Sequence, residues 1–170
     1  AHGEEIYARK LTFAEARARI DAYYRPYHDA LSGLIEETRA RFGWCLLIDC
    51  HSMPSVGGPF DTDIGRTRAD FVLGDAHGRS AAPGVIAAVE GRLRLMGYTV
   101  RRNSPYSGGY ITRSYGRPDD SVHALQIEIN RGLYMDEANL RATAGFDTLV
   151  ADLEKLVCFR AGLEPALAAA

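Results

Sequence analysis

The chain's 170 residues suit one domain, and a 46% hydrophobic and 25% charged composition is that of a globule able to bury a core in water. A formal net charge of −2 supplies no field to draw nucleic acid or an anionic membrane, and no apolar run approaches the roughly 20 residues of a membrane span. Cys45, Cys50 and Cys158 are odd in number and lack C-x-x-C spacing, which speaks against a disulfide framework and for a reducing cytoplasm. The opening AHGEEIYARK is polar, without the apolar core of a signal peptide, and lacks an initiator Met, so it reads as an excerpt of a longer protein.

Thr12 with Glu15 is a capping-box pattern that opens a helix. Ile20, Tyr23, Tyr24, Tyr27, Leu31, Leu34 and Ile35 continue it at helical spacing, and Arg39, Arg41 and Gly43 close it. Pro26 is expected to kink or split this helix. WCLLIDC, 44–50, reads as a strand buried on both faces, 52–69 as a long loop, and DFVLG, 70–74, as a second strand. Pro83 starts a helix with Val85, Ile86, Val89, Leu93 and Met96 as its buried stripe and Gly97 as its stop. YTVRR, 98–102, is a third strand, 102–116 a turn-rich segment, and VHALQIEIN, 122–130, the clearest strand of all. Phe146, Leu149, Val150, Leu153, Leu156 and Val157 mark a last amphipathic helix stopped by Gly162, with a frayed Ala-rich tail after Pro165. Helices alternating with strands predict an α/β fold: a mixed, mostly parallel sheet flanked by helices.

In open α/β sheets, sites form at the carboxyl ends of strands. Asp49-Cys50-His51-Ser52 is such an end. His51 there is either a zinc ligand oriented by Asp49 or a residue that merely hydrogen-bonds a strand terminus. Ser52 lacks a G-x-S-x-G elbow, and Cys50 is a nucleophile only if its pKa is lowered. In 122–130, strand alternation puts Leu125, Ile127 and Ile129 on one face and Gln126, Glu128 and Asn130 on the other. The polar face either meets solvent or lines a cleft where the pKa of Glu128 rises toward general-base duty. Arg113, after the Gly108-Gly109 pair, offers a planar fork for a carboxylate or is a solvated loop arginine. His28 is expected in a structural contact, His77 and His123 are expected to be exposed, and the H-x-x-E pair of His2 and Glu5 is expected to be fortuitous.

Five stretches carry a resemblance: YYRPYH at 23–28, LLIDCHSMPS at 46–55, DFVLGDAHGRS at 70–80, NSPYSGGYITRSYG at 103–116 and HALQIEINRGLYMDE at 123–137. In this order they resemble the N-formylglutamate amidohydrolase (deformylase) family. The resemblance implies a zinc-carboxypeptidase-like, phosphorylase/hydrolase-like fold. It further implies hydrolysis of the formyl amide of N-formyl-L-glutamate, or a related small-molecule N-acyl amino acid, late in histidine breakdown, in the cytoplasmic setting that the cysteines suggest. By motif, His51 would ligate one zinc ion, Glu128 would activate water, Arg113 and Asn103 would hold a substrate carboxylate, and Asp49 would support His51. The family's Pro-His-Ser-Gly-type and Asp-Leu-Asn-Arg stretches are not in these residues, so residues 1–170 read as the C-terminal part of a longer domain with further zinc ligands upstream. The alternative is a catalytically incomplete relative that binds an amino acid or partner without turnover.

Overall fold

The computed structural model describes residues 5–159, and these fall into two compact units that divide between Glu37 and Thr38. In the first unit Thr12 caps α1 (Phe13–Arg19): its side chain accepts from the Glu15 N–H while Glu15 accepts from the Thr12 N–H, the reciprocal pair the pattern predicts. A π-helical stretch, Ile20–Tyr24, separates α1 from α2 (Arg25–Phe42). The split falls immediately before Pro26, which has no N–H to give and whose ring crowds the carbonyl one turn back; widening the preceding turn relieves both. His28 packs against the rings of Tyr24 and Tyr27, at centroid distances of 4.1 and 5.0 Å, in the structural role expected of it.

The second unit is built on a four-stranded sheet of β1 (Cys45–Met53), β2 (Phe71–Gly74), β3 (Val100–Arg102) and β4 (Val122–Asn130) in the order β1-β4-β2-β3. β1 and β4 are parallel, β2 and β3 are parallel, and β4 runs antiparallel to β2. On one face Phe71, Leu73, Leu125 and Ile127 pack beneath α3 (Pro83–Leu95) and α5 (Gly145–Val157) through Ile86, Val89, Leu93, Leu149 and Leu156. The other face carries the short α4 (Tyr110–Tyr115), a helix inside the segment read as turns. A small ribbon, β5 (Met135–Asp136) with β6 (Arg141–Ala142), precedes α5.

Three expectations are corrected. β1 is not buried on both faces: within the described residues it has β4 as its only sheet neighbour, and its middle is half-buried to exposed. It also runs three residues past Cys50, so His51 sits inside the strand. His123 is not exposed but fully buried, because β4 is a central strand, and its Nδ1 accepts the Ala82 N–H at 3.2 Å. α5 ends at Val157, ahead of Gly162; that glycine, His2 and the tail after Pro165 lie outside the described residues.

Candidate active site

The parallel register of β1 and β4 sets Asp49 opposite Gln126 and His51 opposite Glu128. Alternation then aims all four side chains to one face, the face away from α3 and α5. Two distant stretches of sequence thus deliver an imidazole, an amide and two carboxylates to one patch of sheet. His51 Nε2 lies 3.2 Å from Asp49 Oδ1, and its Nδ1 lies 3.6 Å from Glu128 Oε1. The imidazole is held between the two acids, Asp49 and Glu128 largely buried and His51 half-exposed. Burial pushes the Glu128 carboxyl above its ordinary value, opposed by the charge of His51 and by a hydrogen bond from Gln126.

Gly74 on β2 sits beside this patch, paired with Gln126. A Cβ there would lie 2.6 Å from the Gly108 nitrogen and 2.7 Å from the Ser107 carbonyl carbon, so only glycine lets segment 107–109 rest on the sheet. Gly109 donates its N–H to Gln126 Oε1 at 2.7 Å, and Gln126 Nε2 donates to Glu128 Oε1 at 2.9 Å. Gly109 is also the N-cap of α4, which carries Arg113. The exposed Arg113 guanidinium reaches Ser107 Oγ at 3.4 Å and shares a cavity of about 150 Å³ with Ala76, Arg79 and Ser80.

Asn103 uses its amide differently from the carboxylate grip that the resemblance implies. Its Oδ1 accepts the N–H groups of Asp75 and His77, at 3.1 and 3.4 Å, and its Nδ2 donates to Asp75 Oδ1 at 2.8 Å. This clamp holds Ala76, His77 and Gly78, three successive residues at positive φ (54°, 59° and 81°). Positive φ costs a non-glycine residue about 1–2 kcal/mol, so the clamp offsets strain in the wall of the Arg79–Arg113 cavity. His77 is exposed, as expected.

The long loop after β1 is anchored by a residue the sequence reading passed over. Arg68, its side chain 1% exposed, pairs with Asp61 at 2.7 Å and with Asp63 at 2.8 Å, and lies over the Tyr106 ring at 5.2 Å. That guanidinium holds the Asp63 carboxyl below the usual carboxylate range. Asn130 donates to the carbonyls of Arg68 and Ala69, and Ser55 is bonded to Glu137, which together fix the rim of the patch. A local cue for Arg68 existed in its spacing to Asp61 and Asp63; Gln126 differs from a solvated strand residue only through contacts made across the fold.

Cys50 and Ser52 point to the opposite face by alternation. Burial and the Asp49 charge push the Cys50 thiol up, the wrong direction for a nucleophile, and Ser52 Oγ accepts from Arg131 at 3.2 Å. On that opposite face an apolar cavity of about 540 Å³, lined by Trp44, Leu46, Ile48, Ile127 and Leu156 among others, brings no titratable group to a reacting centre. Among the described residues no group of three or more His, Cys, Asp or Glu side chains could hold a metal ion. A catalytic zinc takes three protein ligands, so these residues do not fit one by themselves: His51 is the single imidazole of the patch and both its nitrogens face carboxylates. No helix of the described residues is long and apolar enough to cross a membrane.

Residues 1–135 match the family model described as N-formylglutamate amidohydrolase. The chain is 34% identical over 139 residues to the N-formylglutamate deformylase of Pseudomonas putida, covering 79% of this chain and 51% of that protein. It is 40% identical over 127 residues to the N-formylglutamate deformylase of Pseudomonas aeruginosa, covering 73% and 46%. Among solved structures it superposes on an N-formylglutamate amidohydrolase from Ralstonia eutropha JMP134 with a TM-score of 0.81 and 42% identity, over 96% of this chain and 58% of that one. The chain therefore spans about half the length of the curated relatives it matches.

Proposed function

Because the chain belongs to the N-formylglutamate amidohydrolase family, we propose that the whole protein hydrolyses the formyl amide of N-formyl-L-glutamate, giving formate and glutamate. The observation that carries this is the meeting of the buried Glu128 and the half-exposed His51 on one polar face, 3.6 Å apart, beside a segment bearing Arg113. Glu128, pushed up by burial, takes the proton of the water that attacks the formyl carbon. As the carbon–nitrogen bond breaks, the same carboxyl gives that proton to the leaving amine. Asp49 fixes the orientation of the His51 ring. Arg113, with Arg79 across the same small cavity, offers guanidinium donors to a substrate carboxylate and so holds the amide in register.

The finer reading adds a zinc ion, a late step of histidine breakdown and a cytoplasmic setting. The five family-like stretches support it, and the odd number and the spacing of Cys45, Cys50 and Cys158 support its setting. A bound zinc would supply Lewis-acid polarisation and an acidified water. His51 is the candidate ligand from this chain, and it would have to release one of its nitrogens from Asp49 or Glu128 to serve. The test is formate release from N-formyl-L-glutamate by the whole protein, with zinc measured by atomic emission. Turnover with about one zinc per chain, both lost after chelation, is the expected result. Turnover that survives complete zinc removal would overturn the metal assignment, and binding of the substrate without formate release would overturn the hydrolase.

A further inference from the structure

Gln126 stands outside the steps above, yet it is 4% exposed and bonded at both ends. Its polarity is fixed by its neighbours. Gly109 presents only an N–H there, so Oε1 must face Gly109, and this turns Nε2 toward Glu128. Both the Gln126 and the His51 contacts of the Glu128 carboxylate fall on Oε1. At the other end, Gly109 is the N-cap of the helix that carries Arg113, and the neighbouring residues 107–108 lie against Gly74 where no Cβ would fit. One buried amide therefore spans the distance between the acid on β4 and the segment holding the arginine.

We infer that Gln126 is a positioning residue that locks Glu128 to the 107–113 segment, so that the acid and the arginine grip are set at one fixed separation. The inference rests on the hydrolase reading for its kinetic consequence and on the hydrogen bonds alone for its structural one. A space-filling core glutamine would be replaced by methionine with little effect on either, since the two side chains have nearly the same shape.

The test uses the whole protein. Q126M removes both bonds, and we expect kcat to fall about tenfold or more and KM to rise about fivefold, because the acid and the grip lose their common anchor. Q126E retains an oxygen that accepts from Gly109, so KM returns to within about twofold of the parent while kcat stays low. Hydrogen exchange at the Gly109 amide is read in the same three proteins: faster than the parent in Q126M, restored in Q126E. Parent-like kcat and KM in Q126M, or equal Gly109 exchange in Q126M and the parent, would overturn the inference. A parent that releases no formate would sink the proposed function instead, and the Gly109 exchange would still decide whether the bridge exists.

Discussion

Leu125 and Ile127 leave β4 on one face of the sheet, Gln126 and Glu128 on the other, and the four are about equally buried, at 0, 3, 4 and 5% exposure. The first pair is covered by α3 and α5 through apolar contact alone. The second is paired throughout: Gln126 with the Gly109 N–H of the covering loop, Glu128 with the Gln126 amide beside it and the His51 imidazole across the register on β1. Burying an amide or carboxylate without such partners costs several kcal/mol, so the polar face is stable only as a connected set. The apolar face tolerates loss in proportion to volume, whereas the polar face answers with a change in chemistry.

The sharpest way to break that contrast is Glu128→Gln in the whole protein. It keeps the side-chain shape and removes the base, and formate release should fall by about a hundredfold to ten-thousandfold with the thermal midpoint little changed. Leu125→Ala on the opposite face should do the reverse, costing about 2–5 kcal/mol in denaturant unfolding while the surviving folded protein retains its KM. Arg68→Met, beneath the rim, should cost on the order of 1–3 kcal/mol and loosen the 54–68 loop, read as faster proteolysis there. The smallest effect is that of acid. The Arg68 guanidinium lowers the Asp63 carboxyl, so the stability that pair contributes is complete above the ordinary carboxylate value near 4 and is lost as pH falls through the lowered one. Unfolding midpoints measured from pH 6 downward should drop below about pH 4 in the parent and drop less in Arg68→Met.

Much of the scaffold was legible because it is periodic. The nine residues of β4, the α3 stripe of Val85, Ile86, Val89 and Leu93, and the Thr12–Glu15 cap follow from spacing within one segment. So does the sharing of one face by Gln126 and Glu128. What spacing does not contain is register between segments, and register is what seats His51 opposite Glu128. His123 was misread for the same reason, since its burial depends on β4 lying between β1 and β2. Asn103 shows a different gap. Its motif is shared with a family, but its amide is spent on a strained turn twenty-eight positions upstream, and only coordinates show where a side chain's hydrogen bonds have gone. The helix that carries Arg113 is tied to the patch by two further links, the Gly109 cap and the bare backbone at Gly74.

The absent side chain at Gly74 works as a spacer of zero thickness. Adding one methyl group there would act as a wedge under the strap formed by residues 107–109, jacking it off the strand by roughly the width of that group. The arginine-bearing helix would ride up with it while the acid stayed on the sheet. The gap beneath the strap is thus set by an atom the molecule does not have, and alanine at this one position would shift the Arg113 helix relative to Glu128 without touching either side chain.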